Sequence, residues 1–378
     1  LKEEAFIIEA NKLDLSDAQS GGRDKSFLDR LELNKGRISD MAQGIKEVAA
    51  LKDPLGMVTD SWTVENGLKI KKVRVPIGTI AIIYEARPNV TADAVSLCIK
   101  SGNAIVLKGS RDAHNSNMAI YNAMVRELDR LGYDSRAIQI IDDKSRESTA
   151  ELLKQGGYID VVIPRGGDQL KKYVLDNATM PVIASAGGNC HTYVEKTANL
   201  DMAAEILYNA KLSRPSTCNA CEQLLVDSVI AEKFLAYALP CLAASNVEIR
   251  GCKDTLAIYP QAKAATEEDY YTEHNGYVIS VKVLNNTEEA VDWINEHGTK
   301  HSEAIITEDS SAAELFTKGV DAACVYVNAS TRFTDGFQFG FGAEMGISTQ
   351  KLHARGPLGL KELTSEKYVI EGKGQIRK

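Results

Sequence analysis

Residues 73–109 read VRVPIGTIAIIYEARPNVTADAVSLCIKSGNAIVLKG, and this stretch decides the fold class. Two β-like runs, residues 73–84 and 104–108, flank a segment of helical spacing over residues 91–101. A strand, a helix and a second strand joined by short connections are typical of a crossover in a parallel sheet. The stretch therefore predicts an α/β protein.

The same alternation continues toward the C-terminus. Further β-like runs cover residues 137–141, 159–164 and 181–184, with helical patterns over residues 117–131, 145–154 and 168–175. A second series begins near His191 and has β-like runs at residues 223–227, 278–284, 303–307 and 323–328. We predict two doubly wound α/β domains, which suits a chain of 378 residues.

Residues 62–71, WTVENGLKIK, interrupt this alternation. Apolar and polar residues alternate around the pair Asn66-Gly67, which is the strongest short signal for a β-hairpin. Because an isolated two-stranded hairpin is marginally stable in water, we expect another strand or another subunit to complete it.

Composition narrows the class of protein. The apolar content of 44% supports a large core, and the net charge of -8 comes without a basic block, which argues against nucleic-acid binding. No apolar run is long enough to span a membrane, and residues 1–4 do not begin a signal peptide. The seven scattered cysteines favour reduced thiols and a cytoplasmic protein that acts on small molecules. Since the chain opens at Leu1, we expect an N-terminal piece to precede it.

Residues 214–219, RPSTCN, place Cys218 in a polar loop after a helix-like segment. We expect Asn219 to begin a helix whose backbone N–H groups, with Arg214 or Lys211, stabilise a Cys218 thiolate. The alternative is a small buried side chain. Cys221 completes a C-x-x-C pattern, but without a second pair it predicts no metal site; packing is the favoured interpretation of Cys221, and a redox pair with Cys218 is the alternative.

Three further regions of the sequence suit ligand binding. Gly166 and Gly167 follow a β-like run and precede a helical pattern, so their amides can approach a phosphate; the alternative is a tight turn. Lys108 ends a strand at the edge where open α/β sheets bind ligands, or is a solvated lysine. In the Gly-rich segment 326–359, Arg332 and Arg355 suit bidentate binding of carboxylate or phosphate, or are surface arginines.

Four long stretches carry a family resemblance. They are residues 73–109, NAKLSRPSTCNACEQLLV (209–226), EHGTKHSEAIIT (296–307) and VYVNASTRFTDGFQFGFGAEMGISTQKLHARGPLGL (325–360). They closely resemble the γ-glutamyl phosphate reductases of the aldehyde dehydrogenase superfamily. The resemblance implies a cofactor-binding domain (1–59 and 73–188), a catalytic domain (189–360) and an oligomerisation element (60–72 and 361–378).

The resemblance also assigns roles to residues of this sequence. Cys218 falls on the catalytic cysteine, and Lys108 falls on the lysine that contacts the adenosine ribose. Gly166 and Gly167 lie in the turn near the cofactor phosphates, and Glu273 lies near the glutamate that holds the nicotinamide ribose.

Further positions follow from the same resemblance. Asn89 lies near the oxyanion-hole asparagine, while Arg214, Arg332 or Arg355 neutralise the phosphate and the α-carboxylate of the substrate. Ser185 replaces the glutamate that activates water in hydrolytic members of the superfamily. The loss of that base suits a thioester that must survive until hydride or phosphate reaches it.

The implied activity is NADPH-dependent reduction of L-glutamyl 5-phosphate to L-glutamate 5-semialdehyde, the second step of proline biosynthesis. The implied enzyme is an acyl-phosphate reductase, a homo-oligomer with a possible functional link to glutamate 5-kinase. Two alternatives remain open: another semialdehyde dehydrogenase of the superfamily, or a catalytically silent dinucleotide-binding protein of the same fold.

Overall fold

A computed structural model describes residues 1–184 and 187–377, without the side chain of Ser26. The helices are α1 (Glu4–Ser20), α2 (Lys25–Leu31), α3 (Lys35–Ala50), α4 (Asn89–Lys100), α5 (His114–Arg130), α6 (Arg146–Leu153), α7 (Asp168–Asn177), α8 (Leu200–Leu212), α9 (Ala231–Ala244), α10 (Lys253–Ile258), α11 (Glu267–Tyr271), α12 (Thr287–His297) and α13 (Ser310–Gly319). No helix among the described residues is long and apolar enough to cross a membrane.

The strands complete two compact units. They are β1 (Val58–Thr63), β2 (Lys69–Pro76), β3 (Thr79–Tyr84), β4 (Ala104–Gly109), β5 (Ile138–Ile140), β6 (Val161–Arg165), β7 (Cys190–Val194), β8 (Cys221–Asp227), β9 (Glu248–Gly251), β10 (Lys263–Ala264), β11 (Val278–Leu284), β12 (Ser302–Ile306), β13 (Cys324–Val327), β14 (Ile347–Ser348), β15 (Gly356–Pro357) and β16 (Thr364–Glu371). The first unit comprises Leu1–Ser185, Gly340–Gly346 and Pro357–Lys378, and the second comprises Ala186–Phe339 and Ile347–Gly356.

The first unit contains a four-stranded parallel sheet in the order β5-β4-β3-β6. The chain winds from β3 to β5 in one direction and then returns to place β6 beside β3. Ala81 and Ile83 of β3 pack with α6 and α7 in a buried apolar cluster. The reversal creates a topological switch point at the carboxyl ends of β3 and β6, the place where such sheets bind ligands.

The predicted hairpin is present and another strand completes it. β1 and β2 pair antiparallel, and Gly67 adopts a φ of 84° in the turn between them, which favours glycine. β16 pairs with the other edge of β2, so the sheet order is β1-β2-β16. Trp62 and Tyr368 meet edge to face with their ring centroids 6.2 Å apart.

The second unit is built on a seven-stranded parallel sheet in the order β10-β9-β11-β8-β7-β12-β13. On one face, Leu224 packs with Leu207 of α8 and Leu235 of α9. On the other face, Leu225 packs with Ile294 of α12 and Phe316 of α13. Because successive residues of β8 point to opposite faces and both faces are covered, its consecutive residues Leu224, Leu225 and Val226 are all apolar and buried.

The predicted aldehyde dehydrogenase-like α/β class, with two parallel sheets and a small antiparallel sheet, is confirmed. Two local predictions were wrong. The run 73–84 is broken at Gly78, whose φ of 135° separates β2 from β3. The run 181–184 reduces to an isolated bridge from Val182 to Val162.

Candidate active site

Cys218 lies in the loop between α8 and β8, at the amino end of β8, where its side chain is half-buried and free of any disulfide. The prediction that Asn219 begins a helix is wrong, because the chain enters β8 at Cys221. Cys221 pairs with Cys190 at the start of β7, so β8 begins only three residues after Cys218. A helix N-terminus at Asn219 therefore does not support the thiolate.

Gly188 packs directly against the peptide of Cys218. A β-carbon at position 188 would collide with the backbone carbonyl group of Cys218, so a glycine is required for this close approach. Two residues further on, the Sγ of Cys190 donates to the same Cys218 carbonyl oxygen at 3.1 Å. The segment that enters β7 therefore fixes the backbone of the residue that bears the thiol.

Gly188→Ala is expected to displace Cys218 and to lower turnover on the order of 100-fold, the cost of moving a reacting group by about 1 Å. The rate of Cys218 alkylation at pH 7 measures the displacement without any substrate. Gly157→Ala is the control, since nothing lies within 4 Å of a β-carbon there. Wild-type alkylation and turnover in Gly188→Ala would contradict the close approach.

Cys221 and Cys190 are unsuited to nucleophilic chemistry. Both are fully buried, and burial raises the pKa of Cys221 to about 11 and that of Cys190 well above its ordinary value. The Sγ of Cys221 donates to the carbonyl oxygen of Gln223 at 3.2 Å. A thiol that stays protonated is a poor nucleophile. No group of three or more His, Cys, Asp or Glu in residues 1–184 and 187–377 is arranged to hold a metal ion.

A buried ion pair joins the two ends of the Cys218 loop. Lys211, in the last turn of α8, places its Nζ 2.9 Å from Oε2 of Glu222 in β8, and both side chains are fully buried. The backbone N–H of Asn275 donates to the other Glu222 oxygen at 3.2 Å. Burial raises the Glu222 pKa to about 7 even beside the lysine. The charge of Lys211 is therefore balanced by Glu222.

Glu273, the predicted nicotinamide-ribose ligand, lies close to this pair and to the cysteines. Its negative charge contributes to the raised pKa values of Glu222 and Cys190, after the larger effect of burial. Its side chain is half-buried in the connection between α11 and β11. The structure thus brings Glu273 into the neighbourhood of the Cys218 loop.

The predicted anion-binding arginines differ in their surroundings. Arg214 is exposed in the Cys218 loop, whereas Nη2 of Arg355 donates to Oδ1 of Asp321 at 2.7 Å. Lys300 and Lys351 also contact Asp321, at 3.1 and 3.0 Å. Hydrogen bonds from Arg355 first, and then from the two lysines, hold the Asp321 pKa well below its ordinary value. Arg355 is therefore engaged in an ion-pair network.

Arg332 lies beside the thiol loop. Its Nη1 donates to Oγ1 of Thr217 at 3.0 Å and to Oδ1 of Asn219. Asn219 is buried, and its Nδ2 donates to the carbonyl oxygen of Thr334 at 2.9 Å. The structure therefore brings Arg332 and Cys218 together across more than a hundred residues of sequence.

The predicted cofactor residues of the first unit lie at the carboxyl ends of its strands. Lys108 is buried at the end of β4, donates to the carbonyl oxygen of Asp143 at 2.5 Å, and has a pKa lowered by burial. A β-carbon on Gly166 would collide with the Glu85 carboxylate. The N–H of Gly167, at the start of α7, donates to Oε2 of Glu85 at 2.8 Å. In this structure the Gly167 N–H is therefore occupied by the Glu85 side chain, which a phosphate would have to replace.

Asn89 is exposed at the start of α4, and its Nδ2 donates to Oδ2 of Asp93 at 3.0 Å. Burial raises the pKa of Asp93 to about 6. Asn89 belongs to the first unit and Cys218 to the second. Ser185, predicted to replace the water-activating glutamate, lies outside the described residues.

Several residues near the candidate site were missed from the sequence. Gly188 had a weak signal in the pair Gly187-Gly188, and Asn219 is the immediate neighbour of Cys218. Glu222 and Glu85 had no signal, because their partners depend on the three-dimensional positions of Lys211 and Gly167.

These features define the class of protein. The model of the aldehyde dehydrogenase family matches residues 7–251 and 264–369, which is most of the chain. An engineered glycolyl-CoA reductase with bound NADP+ shares the fold, with a TM-score of 0.67 and 17% identity over 97% of this chain and 96% of that one. The chain is thus an aldehyde dehydrogenase family member.

Two proteins with much higher sequence identity to this chain are both γ-glutamyl phosphate reductases. The γ-glutamyl phosphate reductase of Clostridium kluyveri is 53% identical over 371 residues, which cover 98% of this chain and 89% of the relative. A crystal structure of γ-glutamyl phosphate reductase from Thermotoga maritima has a TM-score of 0.96 and 48% identity, covering 98% of this chain and 90% of that one. The chain belongs to the γ-glutamyl phosphate reductase family, so the resemblance seen in the sequence is confirmed.

Proposed function

We propose that this protein reduces L-glutamyl 5-phosphate to L-glutamate 5-semialdehyde and phosphate, the second step of proline biosynthesis from glutamate. The observation that carries the proposal is a half-buried Cys218 whose loop is held by Gly188 and Arg332. Relatives at 53% identity over almost the whole chain are γ-glutamyl phosphate reductases, and this supports the substrate.

Cys218 is the proposed nucleophile. Its thiolate attacks the acyl carbon of the substrate, the bond from that carbon to the phosphate oxygen breaks, and phosphate leaves with the electron pair. The product is a thioester on Cys218. After reduction of the thioester to a thiohemiacetal, the carbon–sulfur bond breaks, the aldehyde is released, and the thiolate is restored.

The oxyanion of the thiohemiacetal requires hydrogen-bond donors. We propose backbone N–H groups near Cys218 and the amide of Asn89 for this role. Arg214, which is exposed beside Cys218, is the proposed partner of the substrate phosphate or α-carboxylate, with Arg332 and Arg355 as further candidates. Ser185 in place of a water-activating glutamate favours a thioester that is reduced rather than hydrolysed.

The cofactor proposed is NADPH, and a bound reduced nicotinamide supplies the hydride for the thioester. Gly166 and Gly167, in the turn before α7, are proposed for its phosphates, because N–H groups at a helix start bind anions; the Glu85 side chain that now accepts from the Gly167 N–H would have to move aside. Lys108 at the end of β4 is proposed for the adenosine ribose and Glu273 for the nicotinamide ribose.

We further propose a cytoplasmic homo-oligomer with the domain limits implied by the resemblance and a functional link to glutamate 5-kinase. The small sheet β1-β2-β16 is the proposed oligomerisation element. It supports this role because Trp62, Tyr368 and Ile370 are exposed on it.

The reverse reaction tests the proposal with stable reagents. We expect reduction of the nicotinamide when L-glutamate 5-semialdehyde, inorganic phosphate and NADP+ are all present, and about 10-fold or greater loss without phosphate, since no water-activating base replaces it. NAD+ in place of NADP+ tests the cofactor separately. Turnover that does not depend on phosphate would indicate another semialdehyde dehydrogenase, and no turnover with intact thiol reactivity would indicate a silent member of the fold.

A further inference from the structure

Arg332 ties the Cys218 loop to the segment that follows β13. Its Nε donates to Oγ of Ser213 at 3.0 Å, and its Nη1 donates to Oγ1 of Thr217 at 3.0 Å and to Oδ1 of Asn219. Thr217 and Asn219 are the immediate neighbours of Cys218. One guanidinium group therefore binds the loop on both sides of the thiol-bearing residue, as its fork of rigid donors allows.

Further hydrogen bonds join the Cys218 loop to residues 331–334. Nδ2 of Asn219 donates to the carbonyl oxygens of Arg332 and Thr334, at 3.3 and 2.9 Å. Oγ1 of Thr331 donates to the carbonyl oxygen of Asn219 at 2.7 Å. The Cys218 loop and residues 331–334 are thus joined by one hydrogen-bond network, with the buried Asn219 side chain at its centre.

Arg332 is also an electrostatic neighbour of the thiol. It is partly desolvated, and its charge and that of Cys218 act on each other. In the part of the chain that the structure describes, the other charged or titratable groups near Arg332, Cys218 and Cys190 include Arg214, Asp335, Glu273, Glu303 and His301. Lys211 is balanced by Glu222 within a buried pair. Arg332 is therefore a cation that hydrogen bonds hold against this loop.

We propose that Arg332 is a positioning residue for the nucleophile, which fixes the Cys218 backbone and favours its thiolate form, rather than a ligand of the substrate. This inference rests on the proposed role of Cys218 and removes Arg332 from the candidates for binding the substrate phosphate or α-carboxylate, which leaves Arg214 and Arg355. Because three of its donor contacts already go to the loop, binding a substrate anion through the same atoms would release Thr217 and Asn219.

Alkylation of Cys218 by iodoacetamide between pH 5 and 10, followed peptide by peptide by mass spectrometry, tests this without substrate. In Arg332→Gln the midpoint of the pH profile should rise by about one unit or more, since a nearby cation is lost. Arg332→Lys should keep the midpoint, because it keeps the charge, but lower turnover in the reverse assay on the order of 100-fold through misplacement. Arg136→Lys is the control, as this arginine is 87% exposed in the first unit.

An unchanged alkylation midpoint in folded Arg332→Gln would overturn the proposal, as would a raised KM with unchanged kcat in Arg332→Lys, which indicates substrate binding. If Arg332→Gln does not fold, Arg332→Lys tests the proposal alone: an unchanged alkylation midpoint with lowered turnover supports it. The alkylation readout is independent of the reaction proposed. A shifted midpoint together with a failed reverse assay would therefore remove the proposed substrate and leave the role of Arg332 intact.

Discussion

Cys218→Ala is expected to abolish turnover of glutamate 5-semialdehyde with phosphate and NADP+, with a loss on the order of 10⁴-fold or more. Removing the nucleophile of a covalent mechanism costs up to about 10⁶-fold in kcat, because no other group can form the intermediate. The neighbouring thiols cannot replace it, since Cys190 and Cys221 are fully buried and have raised pKa values. Rates are to be measured under single-turnover conditions, so that weak residual activity can be detected.

Cys221→Ala is the matched control for this substitution. It removes the other half of the C-x-x-C pattern from a buried position that the proposed chemistry does not use. We expect it to keep turnover within about 3-fold, because it deletes only a small core group. Equal losses in the two variants would favour a redox pair, and turnover in folded Cys218→Ala would refute the thioester.

The order of elements was predictable because each half of the chain repeats apolar strands and amphipathic helices. Residues 278–284 were predicted as a strand and form β11 with the same limits. Short strands were not predictable: β9 and β10 are held by sheet neighbours rather than by a run of apolar residues. Gly78 divides one apolar run into two strands of different sheets, which only its backbone conformation reveals.

Within the candidate site, the sequence predicted Cys218, Arg332 and Glu273 but not the contacts that hold the Cys218 loop. The expected helix start at Asn219 was wrong, because pairing of Cys221 with β7 extends β8 toward the thiol. One cation near the thiol is Arg332, which is separated from Cys218 by more than a hundred residues. Contacts between such distant segments are determined by tertiary packing, and no local spacing in the sequence encodes them.

Lys211→Met is expected to lower the stability of the second unit by about 3–5 kcal/mol near pH 8, because it leaves the Glu222 carboxylate buried without its cation. For a unit of this size the thermal midpoint should fall by about 10 °C. Since this pair connects α8 to β8 across the Cys218 loop, the alkylation rate of Cys218 should change in the same variant.

The loss should depend on pH in a defined direction. Burial already raises the Glu222 pKa to about 7 in the native protein, above its ordinary value of 4.5, and removing Lys211 raises it further. When the pKa of an acid is higher in the native than in the unfolded protein, its protonated form stabilises the fold. That contribution is complete below the unfolded-state pKa, and it is lost as the pH rises through the native-state pKa. Lys211→Met should therefore be closer to wild type at pH 5 than at pH 8. The double variant Lys211→Met, Glu222→Met should recover most of the midpoint at pH 8, since an apolar pair of similar volume carries no unpaired charge. Equal losses at both pH values, or no recovery in the double variant, would show that Glu222 is not the group left uncompensated.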